Sequence, residues 1–335
     1  MKRTFIYIIF IICLFFHSCR KDDSDNFQGP SLNDLYGPFN ILSPLELGDE
    51  VNFTSGENIA FNVEISKRTR WEIEITGATS GAKRTFTGND RIISKDNALW
   101  KGGANTFPSF GLEKTYIKIS FPDEEDAPLI MDSVNITGLK KDQGIIVTDF
   151  ENGSSDSWDY FNQAGVSASI ICNTDDAAKG SCFYSWDGSV PWDWAIGYLK
   201  INTPENGFGL PANANNLYFN IGAKFISNTG PNNCFLQLWF DEDDNGDGVY
   251  TASSEDQFIY EYWYENDKWN LVSFKYGDLK YNADGDLAET NGNGLPEPSK
   301  LIGVTVFFLA NKESGIRSEA TIDQLIFTEN ESYKP

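Results

Sequence analysis

Residues 71–75 read WEIEI, with apolar and acidic side chains alternating at every position. A period of two puts Trp71, Ile73 and Ile75 on one face of a strand and Glu72 and Glu74 on the other. Short runs of the same kind recur at residues 59–65, 116–121 and 130–136, and long stretches of helix formers with a 3.6-residue period are missing. Such a pattern calls for short, half-solvated strands. Composition agrees, since 29 Gly, 13 Pro and 14% aromatic residues favour strands joined by turns. With 335 residues, 40% of them hydrophobic, the chain is long enough for two cores.

Between residues 45 and 140, seven or eight short segments are punctuated by Gly77, Gly81, Gly88-Asn89 and Gly102-Gly103. This fits an immunoglobulin-like sandwich. Trp71 lies in strand phase and is expected in its core, while Trp100 sits in a turn-rich stretch and is expected to be exposed. No chemical constellation is visible here, so the domain reads as a spacer. Between residues 144 and 328, strand-like runs begin near Ile145, Val166, Ser181, Trp194, Leu217, Cys234, Phe258, Trp269, Leu301 and Ala320. Ten strands with no helix between them predict antiparallel sheets folded as a β-jelly-roll. The whole chain is therefore expected to be all-β.

Seven of the nine tryptophans fall in the second domain, and three of them crowd residues 185–198, SWDGSVPWDWAIGY. Asp187-Gly188 and Pro191 argue for a loop there. A loop offers little core, so Trp186, Trp192 and Trp194 beside Asp187 and Asp193 suggest a stacking surface for a sugar ring; the alternative is that single rings cap the end of a sandwich. In FLQLWF, residues 235–240, Leu236, Leu238 and Phe240 share the aliphatic face. That leaves Gln237 and Trp239 outward as a possible sugar floor. Tyr260, Tyr262 and Tyr264 alternate with Glu261 and Trp263, and either set could point outward.

Asp243-x-Asn245-x-Asp247-Gly248 has the alternating oxygen spacing that wraps a hard cation. Counted from Asp243, the twelfth position is Ser254, with Glu255 one step beyond. A start at Asp241 puts Ala252 there. So many carboxylates repel one another without a counter-ion, and Ca2+ held by Asp241, Asp243, Asn245, Asp247 and Glu255 is the expectation; a plain turn at Asn245-Gly246 is the alternative. Cys172 and Cys182 lie ten residues apart, consistent either with a bridge or with buried thiols, and Cys234 is left over.

Exclusions are as informative. Formal net charge is −23; residues 1–19 hold Lys2 and Arg3 and no acid, so their removal leaves 24 basic against 49 acidic residues, or −25. That field repels phosphate backbones, which excludes nucleic acid as a partner. The only histidine is His17, so a chain processed beyond it cannot run a Ser-His-Asp or Cys-His mechanism. No Glu-x-Asp-x-x-Glu strand of the jelly-roll glycosidase kind is present. Carboxylate pairs remain abundant, so a hydrolase or a lyase working through Tyr, Lys or Arg stays open as the alternative to a binder, as does a purely structural or adhesive protein.

Two stretches carry family resemblances. Lys2-Arg3, the apolar run over residues 5–16 and Ser18-Cys19 resemble a bacterial lipoprotein signal, residues 1–18, with Cys19 as the lipidated residue. Lys21-Asp22-Asp23 resembles the export tag of surface lipoproteins of Bacteroidota. The resemblance implies a lipid anchor in the outer membrane, facing outward, with residues 19–44 as a tether and a glycan-uptake transporter complex as a possible partner. In the second domain, residues 148–151 (TDFE), 268–272 (KWNLV) and 320–325 (ATIDQL) resemble a galactose-binding-like carbohydrate-binding module. That resemblance implies binding of a neutral polysaccharide or oligosaccharide, and a structural calcium held by Glu151 and Asp323; ordinary surface carboxylates are the alternative for those two.

Overall fold

The computed structural model describes residues 37–189, 195–204, 207–228, 233–281, 292–310 and 317–335. The first domain contains β1 (Ile41–Ser43), β2 (Glu50–Asn52), β3 (Ile59–Ala60), β4 (Val63–Gly77), β5 (Lys83–Ile93), β6 (Leu99–Trp100), β7 (Lys114–Ser120) and β8 (Ile130–Gly138). The long β4 organises it. β5 runs along one edge, while β1 near Ile65 and β7 from Glu72 to Gly77 share the other. β8 and a parallel β2 complete this sheet, and a β3–β6 ribbon stands apart from it.

The alternation of WEIEI is realised within β4: Trp71, Ile73 and Ile75 are fully buried. Trp71 lies over Gly88, where a Cβ would sit 2.2 Å from its Cζ2. Gly88, expected at a turn, is thus inside β5, and its missing side chain makes room for the indole. Trp100 is also buried, not exposed as expected. Its indole N–H donates to the Gly103 carbonyl at 3.0 Å, and Phe53 and Phe110 meet its ring edge-on. The folded region begins earlier than residue 45, because β1 already pairs with β4.

The second domain contains β9 (Ile145–Thr148), β10 (Trp158–Asn162), β11 (Ser167–Cys172), β12 (Cys182–Ser189), β13 (Ala195–Asn202), β14 (Leu217–Ser227), β15 (Cys234–Glu242), β16 (Gln257–Tyr262), β17 (Asn266–Lys275), β18 (Lys280–Tyr281), β19 (Leu301–Ala310) and β20 (Arg317–Glu329). One sheet has the order β10-β13-β19-β15-β16-β18. The other has β11-β12-β20-β14-β17, with β9 also on β20. Two antiparallel sheets face one another across a core of Leu236, Leu238, Phe240, Phe219, Phe308, Phe327 and their neighbours. This is the jelly-roll arrangement. Cys172 and Cys182 are bridged where β11 and β12 pair, and Cys234 is a buried free thiol.

The domains share a small apolar core of their own. Phe107 packs with Ala177, Ala178, Phe183, Trp269, Ile326 and Tyr333. Ser109 N–H donates to the Ala178 carbonyl at 2.8 Å, and Leu271 N–H to Thr106 Oγ1 at 3.1 Å. Phe183, Trp269, Leu271 and Ile326 lie on β12, β17 and β20, so the first domain covers the outer face of that sheet. The outer face of the β10–β18 sheet is turned away from it.

Candidate functional site

Strand pairing on the β10–β18 sheet draws one row across five strands. Phe161 pairs with Tyr198, Tyr198 with Phe307, Phe307 with Gln237, and Gln237 with Glu261. With strands about 4.8 Å apart, the row spans about 19 Å. Because Leu199, Val306, Phe308, Leu236 and Leu238 point inward, the alternation turns the row's own side chains outward. Phe161 stacks on Tyr198, and Tyr198 meets Phe307 at a centroid separation of 5.0 Å. Trp239, two residues along β15, packs on Phe307 at 4.2 Å.

Two indoles are held by one hydrogen-bond chain. Trp239 Nε1 donates to Gln237 Oε1 at 3.0 Å, and Gln237 Nε2 donates to Glu261 Oε1 at 2.6 Å. The other carboxylate oxygen, Glu261 Oε2, accepts from Trp263 Nε1 at 3.0 Å. Trp263 lies flat on buried Phe235, with centroids 3.8 Å apart and planes 11° apart, yet stays 44% exposed. A ring lying on a support with so much surface in water is pre-organised for stacking. Beside Trp239, Lys200 Nζ bonds Asp241 Oδ2 at 2.7 Å, and Gln257 Nε2 donates to Asp241 Oδ1 at 2.6 Å. Aromatic faces bordered by fixed donors and acceptors suit a ligand with both C–H faces and hydroxyls.

Gln237 and Trp239 take the outward phase expected of them. Of the two sets left open, Glu261 and Trp263 face outward, Tyr260 and Tyr262 pack toward the core, and Tyr264, past the end of β16, is exposed. It overturns Trp186. That residue lies in β12, not in a loop; it is 0% exposed and packs on Tyr184 and Phe308 in the core. Asp187, one residue on, points to the opposite face of β12, where Arg317 pairs with it at 2.7 Å. Alternation along β12 separates the two, and both lie on the sheet that does not carry the aromatic row. Trp192, Asp193 and Trp194 lie outside the described residues, as does Cys19. Phe161, Tyr198, Lys200 and Phe307 escaped sequence reasoning because only the strand order assembles them.

The acidic loop is closed by β15 pairing with β16, Asp241 opposite Gln257. Carboxylate oxygens of Asp243, Asp247 and Glu255 then gather within 4.8 Å of one another. Hairpin closure brings Glu255 in despite its offset from the twelfth position. Asp243 also accepts N–H groups of Gly246, Asp247 and Gly248, and these hold its carboxyl below the usual range against the opposing effect of burial. Asn245 Oδ1 is taken by Asp247 N–H at 2.9 Å. Asp241 is not part of this cluster: it faces Lys200 on the sheet, as a residue in strand phase must.

Glu151 and Asp323 staple one segment from two sides. Glu151 accepts from Ser181 N, Ser181 Oγ and Cys182 N at 2.6–2.8 Å. Asp323 accepts from Lys179 N at 3.0 Å and Gln324 N at 2.7 Å. Burial, aided by the Glu151 charge, pushes the Asp323 carboxyl up to about 8 despite those bonds. Asp323 is buried and so is not a surface carboxylate, whereas Glu151 is exposed, with both of its oxygens accepting hydrogen bonds from Ser181 and Cys182.

No family model matches the chain, and no curated protein does. Among solved structures there are matches to part of the chain. One is the family 11 carbohydrate-binding module from Clostridium thermocellum in complex with a β-1,3-1,4-mixed-linked tetrasaccharide, at 14% identity and TM-score 0.37, covering 58% of this chain and 100% of that one. A second is a carbohydrate-binding module specific for non-crystalline cellulose, at 16% identity and TM-score 0.33, covering 56% and 97%. A third is an exo-β-agarase, at 12% identity and TM-score 0.35, covering 57% of this chain but 26% of the enzyme.

Proposed function

We propose that this chain is a non-catalytic carbohydrate-binding protein that holds a neutral polysaccharide or oligosaccharide on the β10–β18 sheet. The observation that carries this reading is the aromatic row Phe161–Tyr198–Phe307 with Trp239 and Trp263 locked beside it, on the sheet face opposite the docked first domain. Indole and phenyl faces would stack on pyranose rings, and Gln237, Glu261, Lys200 and Asp241 would meet hydroxyls. In the fuller form of the reading, Cys19 carries lipid and anchors the protein in the outer membrane facing outward, near a glycan-uptake transporter. The first sandwich, read as immunoglobulin-like, then serves as a spacer. Calcium at Asp243, Asn245, Asp247 and Glu255 would fix the loop between β15 and β16, and a second ion at Glu151 and Asp323 would brace the segment they staple.

The test is a titration of intrinsic tryptophan fluorescence with a panel of soluble neutral glycans, with analysis of the same mixtures for products. A saturable shift with at least one glycan and no products is expected. A panel that leaves the fluorescence of the parent chain unchanged, or one that is degraded, overturns the proposal.

A further inference from the structure

β15 ends in Asp241-Glu242 and the chain continues into Asp243-Asp244, and these consecutive carboxylates go to different places. Asp241 goes to Lys200 and Asp243 to the loop cluster. Glu242 goes inward and is 0% exposed. Its Oε1 accepts from the Tyr276 hydroxyl and from Glu297 N–H, both at 2.8 Å. Its Oε2 is buried with no hydrogen-bond partner. A buried carboxylate oxygen left unpaired is among the costliest polar defects a core can carry. Burial and the nearby Asp244 and Asp256 charges push the Glu242 carboxyl up to about 8, against the opposing bonds from Tyr276 and Glu297 N–H.

Oxygens of Asp244 and Glu297 lie with one of Glu242 inside 4.8 Å. Oxygens on opposite sides of a calcium ion stand about 4.8 Å apart at a bond length of about 2.4 Å, so three carboxylates this close can reach one ion. Lys300 Nζ is already at the rim, 3.1 Å from Asp244 Oδ1 and 2.6 Å from Glu297 Oε2. One ammonium therefore stands against three carboxylates, and it touches two of them. Asn293 Nδ2 meets Asp244 Oδ1 at 3.2 Å, so the segment entering β19 closes the cluster from above.

We propose that Glu242, Asp244 and Glu297 form a divalent-cation site of the calcium class, distinct from the loop cluster of Asp243, Asp247 and Glu255, with Glu242 Oε2 as its innermost ligand. All-oxygen donors select a hard ion, and the few protein ligands leave positions for water. The ion joins the end of β15 to the segment leading into β19. These are the neighbouring strands that carry Trp239 and Phe307. The proposal does not depend on what the aromatic face binds.

The test is calorimetric titration of the chelator-stripped full chain with calcium chloride, circular dichroism confirming that each variant is folded. Glu297→Gln, at a partly exposed position, and Glu242→Gln should each weaken one calcium ion at least tenfold. Asp243→Asn with Asp247→Asn should leave that ion in place. Lys300→Met removes the competing ammonium and should tighten it several-fold. If Glu297→Gln and Lys300→Met bind calcium with the parent's stoichiometry and affinity, or the parent binds none at millimolar calcium, the cluster is served by Lys300 and not by a metal ion, and the proposal is wrong.

Discussion

Glu261 uses both carboxylate oxygens to hold Trp263 in place and to link it to its neighbour: Oε2 accepts the Trp263 indole N–H at 3.0 Å, and Oε1 takes the Gln237 amide that holds Trp239. Two aromatic platforms, one on β15 and one just past the end of β16, thus share a single anchor.

Trp239→Ala should lower affinity for a bound glycan about thirtyfold, or about 2 kcal/mol, as for a central aromatic anchor. Glu261→Ala should weaken binding by a smaller factor by freeing both indoles, and Glu261→Gln should restore part of it. Calorimetric titration with the glycan found by fluorescence reads all three. Equal affinity for parent and Trp239→Ala would place the ligand elsewhere.

Trp186→Ala should behave in the opposite way. Its indole is fully buried among Tyr184 and Phe308, so truncation should cost about 3–5 kcal/mol in urea unfolding. The folded fraction should bind glycan as the parent does.

Glu113 gives a pH dependence. Burial opposes its charge, but Ser80 Oγ and the N–H groups of Gly111, Ser80 and Thr79 outweigh it and hold the carboxyl below the ordinary value of 4.5. A folded value below the unfolded one stabilises above the unfolded value, and that contribution disappears as pH falls through the folded value. Glu113→Gln should therefore cost about 1–3 kcal/mol at pH 7. The gap from the parent should close at pH values below the folded value. Urea midpoints at several pH values check this, and a gap independent of pH would contradict it.

Phe107→Ala removes the ring that the first domain inserts against Trp269 and Tyr333. Loss of a buried Phe costs about 3–5 kcal/mol, here taken mainly from the domain interface. Calorimetry should then resolve two unfolding transitions where the parent shows one, and small-angle scattering should show a more extended molecule.

Chelator should lower the unfolding temperature of the parent. An ion held at a hundred times its dissociation constant stabilises by about 2.7 kcal/mol. Asp247→Asn should remove part of that response by disabling the loop cluster. A thermal scan with and without chelator, indifferent to calcium in the parent, would remove metal from the account.

Much of the fold was legible because alternation is local. The ten strand starts read in the second domain all correspond to strands, and the outward phase of Gln237 and Trp239 follows from three inward apolar neighbours. β10 was missed because Tyr160 and Phe161 break the alternation at an edge, where both faces meet water. Trp100 and Trp186 were misplaced for a common reason. Gly and Asp beside a Trp look like loop chemistry, yet Gly188 lies within β12 and Gly103 supplies the Trp100 indole with its acceptor.

What the chain's order of residues determines by itself is the period: which side chains share a strand face, where turns fall, and that thirteen prolines and many short runs exclude a helical protein. What only the tertiary structure decides is which face each strand turns to water, because that depends on the partner sheet and on the docked first domain. It also decides which distant residues meet. Phe161, Tyr198, Phe307, Gln237 and Glu261 are scattered between positions 161 and 307 and become neighbours through hydrogen-bond register. Register is a property of pairs of strands, and no single stretch of sequence contains it.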